Sequence, residues 1–177
     1  MRRFVFARSF DLVVAPGDPF SHLTSLADRK QALRAVARHL SAGGRFVLEG
    51  LYRKRRETEI APRRIRHGAR SLAIEEEWHP IGAGERWLAR YRYSDLERGR
   101  VVDTLSATFV ARAWDPGSMR GLFRSCGLTI EKMWGDFDRR PFRSGSRRVV
   151  VVARRAASAP SRRSPTSNPK RRARRPR

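Results

Sequence analysis

Two short apolar runs on either side of a helical repeat constrain this chain more than any other feature. Phe10-Asp11-Leu12-Val13-Val14-Ala15 is broken only by Asp11 and ends at Pro16-Gly17-Asp18-Pro19, a dense turn signal. Between it and a second run, Arg45 to Leu51, the residues Leu33, Val36, Ala37 and Leu40 recur at i, i+3, i+4 and i+7. That spacing puts them on one face of a helix of about three to four turns. Asp28 stands near the helix start as a cap, and Gly43-Gly44 lie beyond its end. A strand, helix, strand order calls for a right-handed crossover, so the two runs are expected as parallel strands buried on both faces of a sheet.

Further along, the period changes from helical to alternating. Leu72, Ile74 and Trp78 share one parity, Trp87, Ala89, Tyr91 and Tyr93 another, and Val101, Leu105, Ala107, Phe109 and Ala111 a third. With turn signals at Pro80 to Gly84 and Leu96 to Gly99, these runs read as an antiparallel meander over about residues 60–112. Asp115-Pro116 then supplies an N-cap with proline at the first helical position, and Met119, Leu122, Phe123 and Cys126 repeat at helical spacing up to Gly127. Leu128 to Met133 and Arg148 to Ala153 are two further strand candidates. No internal repeat is present.

Of the 40 basic residues, 36 are Arg, and the net charge is +23. Residues 154–177 hold nine Arg and one Lys with no acid and no large apolar residue, so the segment cannot bury enough surface to order itself and is expected to be a disordered basic tail. Such a tail has two readings, a nucleic-acid-binding segment or a by-product of Arg-rich coding. The single cysteine, Cys126, excludes an internal disulfide and a multi-cysteine zinc site. No apolar run approaches the ~20 residues of a membrane span, and no signal-peptide pattern follows Met1-Arg2-Arg3-Phe4, so a soluble cytoplasmic protein is expected.

The run Phe10 to Ala15, the Phe20-x-His22-Leu23 loop, a helix containing Ala32-Leu33, and His39-Leu40-x-x-Gly43-Gly44-Arg45-Phe46-Val47-Leu48 occur in a characteristic order. Together they resemble the fourth and fifth strands of class I S-adenosylmethionine (SAM)-dependent methyltransferases of small-molecule type. Gly127 to Asp138 is similar to that family's sixth strand and the loop into its last, antiparallel strand. The meander is similar to the insertion that covers the substrate in the sugar and glycine N-methyltransferase branches. The resemblance implies an α/β, Rossmann-like sheet represented by its C-terminal half, a partial domain over residues 1–153, with SAM as cofactor and a small-molecule methyl acceptor as partner. The family's glycine-rich cofactor turn and ribose-binding acid belong to strands that residues 1–9 cannot supply. The expectation is therefore a truncated chain, weakly active or inactive, with an exposed strand edge on which a homodimer could pair. A non-catalytic remnant that binds partners or nucleic acid through its tail is the alternative. Gly82-Ala83-Gly84 reads as a hairpin turn and not as the missing cofactor loop.

By the crevice rule for open α/β sheets, a ligand lies at the carboxyl end of the first run. The resemblance implies that Ala15, Pro16 and Phe20 flank the methionine moiety of SAM there; the other reading makes Pro16 to Pro19 a plain turn and Phe20 a core lid. His22 is either a general base or a packing histidine. Tyr52 and Arg53 share the rim after the second run. Trp78, Trp87, Tyr91, Tyr93 and Trp134 either line an aromatic pocket for a methyl-accepting amine or fill a core. Asp136 and Asp138 either meet substrate or balance Arg139 and Arg140. His39, His67 and His79 have no metal-ligand spacing, so no metal is expected.

Overall fold

The computed structural model of the chain describes residues 4–52, 59–82, 85–146 and 148–156. Arg53, Ala83, Gly84 and residues 157–177 of the basic tail lie outside the described residues. The chain begins with β1 (Phe10–Ala15), a 3-10 turn (Pro19–His22), α1 (Leu26–His39) and β2 (Leu40–Leu51). Next come β3 (Glu59–Ile60), β4 (Arg63–His67), β5 (Arg70–Ile81), β6 (Arg86–Glu97) and β7 (Arg100–Arg112). It continues with α2 (Pro116–Ser125), β8 (Leu128–Trp134) and β9 (Arg148–Arg155).

β1 and β2 pair in parallel, as a crossover through α1 requires. The last strand, β9, lies antiparallel between β2 and β8, giving the order β1-β2-β9-β8. Both helices cover the same face of this sheet. Leu33, Val36 and Ala37 of α1 and Met119 and Phe123 of α2 pack with Phe46, Leu48, Val149 and Val151 into one core.

Among the described residues no helix covers the opposite face, so β1 is not buried on both faces. Ala15 is buried toward the helices, whereas Leu12 and Val14 are each 58% exposed. The alternation is that of a one-sided strand, and the apolar residues on its outer face gave the run its two-sided appearance.

The helix cap also differs from the expected one. Ser25 is the N-cap, its hydroxyl accepting the backbone N–H of Asp28 at 3.0 Å, so Asp28 is a first-turn acid and not the cap. Helix α1 ends at His39, and Gly43, with φ +81°, lies inside β2 where its register against β1 jumps from Phe10↔Leu40 to Leu12↔Arg45. Asp115 caps α2 as expected, its carboxylate accepting the N–H groups of Gly117 and Ser118.

The three alternating runs are β5, β6 and β7 of a second sheet, in the order β3-β5-β6-β7 with β4 also on β5. β3 and β4 are additions that alternation did not reveal, because every residue of β4, Arg63 to His67, is exposed and no apolar face marks it. β9 runs two residues past the expected boundary of the tail, Arg154 and Arg155 pairing with Thr129 and Leu128.

Candidate functional site

A cavity of about 400 Å³ opens on the uncovered face of the first sheet, at the carboxyl ends of β1 and β2. Val14, Ala15 and Pro16 form one wall, Val47, Glu49 and Val150 the floor, and Trp134, Phe137 and Arg139 the far side. The strands determine which residues meet here. Val14 pairs with Val47, and Glu49 pairs with Val150, so alternate side chains from adjacent strands point to one face. Arg139 lies 5.8 Å from the Trp134 ring, within cation–π range.

Glu49 fixes the turn after β1. One carboxylate oxygen accepts the Gly17 N–H at 2.7 Å and the other accepts Arg148 at 2.7 Å. Sequence reading passed over this residue, although a lone acid inside an apolar strand is a visible signal of a polar group at a site. Asp136 accepts the Phe137 N–H at 2.8 Å and faces Arg148 at 3.4 Å, so it shapes the loop over the cavity. Tyr52 packs edge-on against Phe142 at 4.8 Å, and Asp138 pairs with Arg140 at 2.8 Å.

The other expected residues form a separate group under the meander. Trp78 and Trp87 are buried with Ala89 and Ala111, flanked by Tyr91 and Phe109. Tyr91 stacks between Tyr93 and Phe109, each pair 12° from parallel. His22 sits 4.9 Å from Phe109, which joins the loop after β1 to this aromatic cluster. Phe20, expected beside the cofactor, is not among the residues that line the cavity. At 2% exposed it packs on Phe46 and Trp114 as a core lid, holding the floor of the loop. His39 is also structural: its Nδ1–H donates to Ala35 O at 2.8 Å while Nε2 accepts the Phe6 N–H at 2.9 Å. No group of three His, Cys, Asp or Glu suited to a metal ion occurs among the described residues, and no helix among them is long and apolar enough to cross a membrane.

Asp18 is the strained polar residue of the loop after β1. It takes the left-handed conformation, φ 54° and ψ 50°, which a residue with a Cβ adopts at a cost. Its Oδ1 is buried without a hydrogen-bond partner among the described residues. Burial pushes its carboxyl up to about 7 from the ordinary 3.8, with nearby Glu49 adding to the rise and the Leu51 backbone, Ser21 and Arg29 opposing it. A carboxyl raised on folding stabilises the native state in its protonated form. This contribution is complete below pH 3.8 and is lost as pH rises through about 7. Asp18→Asn is therefore expected to flatten the fall in melting temperature between pH 4 and 8 and to raise it above pH 7. Thermal unfolding across that range checks this, and a variant curve parallel to the wild type would contradict it.

No protein-family model matches the chain, and no curated protein matches its sequence. Solved structures do match its fold. DesVI of Streptomyces venezuelae superposes with a TM-score of 0.72 at 19% identity, over 88% of this chain and 62% of that one. The sugar N-methyltransferase KedS8 from Streptoalloteichus gives 0.68 at 21%, over 88% and 60%. A SAM-dependent methyltransferase from Clostridium acetobutylicum gives 0.73 at 14%, over 88% and 62%. The chain thus shares the fold of SAM-dependent methyltransferases, its meander included, and spans about three fifths of the length of these structures.

Proposed function

We propose that this chain is the acceptor-side part of a SAM-dependent methyltransferase that acts on a small molecule. The observation that carries the reading is the topology: a β1-β2-β9-β8 sheet with a meander inserted between β2 and α2, in the fold of a sugar N-methyltransferase. SAM would supply an electrophilic methyl on a sulfonium. An amine acceptor attacks such a methyl with little acid or base assistance, so placement of the two reactants accounts for much of the rate.

In this reading Ala15 and Pro16 give the apolar wall against the cofactor's methionine end, and Trp134 offers an aromatic face near it. Tyr52, against Phe142, and Asp136, at the start of the loop that carries Phe137, are the rim residues of this reading, and Arg53 joins them only as the sequence neighbour of Tyr52. Trp78 and Trp87 brace the meander from inside, while half-buried Tyr91 carries the surface that an acceptor amine meets. His22 packs against Phe109 of the meander, and an amine acceptor requires no base from it.

The residues present fit one end of the cofactor only. Glu49, the carboxylate of the cavity, is already occupied by Gly17 and Arg148, which leaves no acid in the cavity wall for the ribose hydroxyls. The chain alone is therefore expected to bind SAM or S-adenosylhomocysteine more weakly than about 100 µM, corresponding to less than about 5.5 kcal/mol. Isothermal titration calorimetry tests this. Micromolar binding would show that these residues are a sufficient cofactor site and would overturn the one-ended fit.

A further inference from the structure

The first sheet has a second end, opposite the cavity, where β2 starts at Leu40, β8 starts at Leu128, and both helices and β9 finish. A cleft of about 390 Å³ opens at this corner. Arg34, Arg38 and Arg155 line it, with only Cys126 and the small residues Ala37, Gly127 and Ala156 between them. Its walls are pinned by three contacts: Cys126 Sγ donates to Lys30 O at 3.7 Å, the Ala156 N–H to Gly127 O at 2.9 Å, and Arg155 to Leu40 O at 3.1 Å.

The charge here exceeds what the fold uses. A cation in the last turn of a helix offsets the helix dipole, which accounts for Arg38, and Arg155 satisfies the carbonyl at the end of α1. Arg34 does neither. It stands exposed one turn before Arg38, about 5–6 Å away along the helix surface, and no acid lines the cleft. The described part of the chain ends at Ala156, on the cleft wall, and residues 157–177 then bring seven Arg and one Lys with no acid. The cations of the cleft and those of the tail sequence thus adjoin at one residue.

Guanidinium groups one helical turn apart suit a run of phosphates, each of which accepts a bidentate pair of hydrogen bonds. The shape of the corner argues against a bilayer. The cleft is concave, and no large apolar side chain lines it for insertion among lipid chains. A cleft of this volume admits the backbone of one strand, whereas a duplex would touch only its rim.

We propose that this corner binds the phosphate backbone of a single-stranded nucleic acid, with Arg34, Arg38 and Arg155 holding phosphates in the cleft and the arginines of the tail extending the contact. The inference lies at the other end of the sheet from the cofactor cavity and does not depend on methyl transfer.

The test uses the full chain and a fluorescein-labelled oligouridylate of about 20 nucleotides, followed by anisotropy from about 50 to about 300 mM salt. Replacing Arg34 and Arg38 together by Gln is expected to weaken binding by about tenfold at about 100 mM salt. It is also expected to make the slope of log K against log salt shallower by about 1.4, the loss of two phosphate contacts at about 0.7 each on a single strand. Replacing Arg64 and Arg66 of β4 together by Gln, at equally exposed positions, is expected to weaken binding by less than about twofold. Gln is a good helix former, and circular dichroism confirms that both variants fold. Equal losses from the two pairs would overturn the proposal, because they assign binding to net charge alone. So would unchanged binding in the Arg34 and Arg38 variant, which assigns it to the tail, or no binding of the wild-type chain below about 100 µM. Tighter binding to a duplex, to polyglutamate or to phosphatidylserine vesicles than to the single strand would give the corner to another partner and overturn it as well.

Discussion

Replacing Arg29 with Met is expected to destabilise the fold by about 3–5 kcal/mol, a large fraction of the stability of a domain this size. Arg29 is 2% exposed, and its guanidinium donates to Leu23 O at 3.0 Å, Ala113 O at 3.1 Å, Phe20 O at 3.4 Å and Arg112 O. It also stacks on Trp114 at 4.1 Å. Two of the carbonyls belong to the end of the meander and two to the loop after β1, so one side chain from α1 clasps segments about ninety residues apart. Burial and the nearby Arg112 pull its pKa down to about 10, still charged at neutral pH. Met fills similar volume but removes the arginine donor from all four carbonyls, of which Phe20 O keeps the Leu23 N–H and the other three have no further donor among the described residues. Arg29→Lys should recover no more than about 1 kcal/mol, because one ammonium cannot reproduce the planar fork that spans both segments. Urea unfolding followed by tryptophan fluorescence measures both variants. A loss below about 1 kcal/mol for Arg29→Met would show that the clasp contributes little.

Gly50→Ala is expected to cost about 2–3 kcal/mol, from overpacking and not from lost backbone freedom. A Cβ at Gly50 would lie 2.7 Å from Trp114 Nε1 and 3.1 Å from Val149 Cγ1, and would come closer still to Trp114 Cδ1. Trp114 has no room to yield: it is 3% exposed, is held between Phe20, Phe123 and Arg29, and donates its backbone N–H to Leu51 O at 2.7 Å. Gly43→Ala is the control. Gly43 has a positive φ of 81° but open space around it, so Ala there should cost only about 1 kcal/mol of backbone strain. Because Gly50 and Arg29 act on the same indole, the double substitution should fall short of the sum of the two by about 0.5 kcal/mol or more. Equal losses for Gly50→Ala and Gly43→Ala would sink the packing argument.

Both positions show where sequence reading stops. Gly50 looks like any strand-end glycine, and Arg29 like one more surface arginine of an Arg-rich chain. Their roles come from Trp114, which lies outside every periodic run and touches both only after the meander closes. The cavity divides in the same way. Ala15, Pro16 and Trp134 were expected near one another, and they line one cavity, because the end of a parallel strand and the loop into the last strand are determined by local pattern. Phe20 and Trp87 had two readings, core or ligand wall, and burial at 2% and 1% decides for the core. Asp18 was visible only as a turn residue. Its raised carboxyl reflects burial first and then Leu51 and Glu49, which are more than thirty residues away in the chain.

The sequence by itself determined the elements and their kind: the β1-α1-β2 unit, the three long strands of the meander, the capped helix α2 and the final strand pair. Each follows from short-range periodicity, a cap or a turn residue, and these act within a few residues. The tertiary structure alone decided that both helices share one face, that β9 slots between β2 and β8, and that a charged arginine ties the meander to the loop. Those outcomes depend on which surfaces meet. Apolar alternation looks the same on a strand covered on two faces as on one covered on a single face.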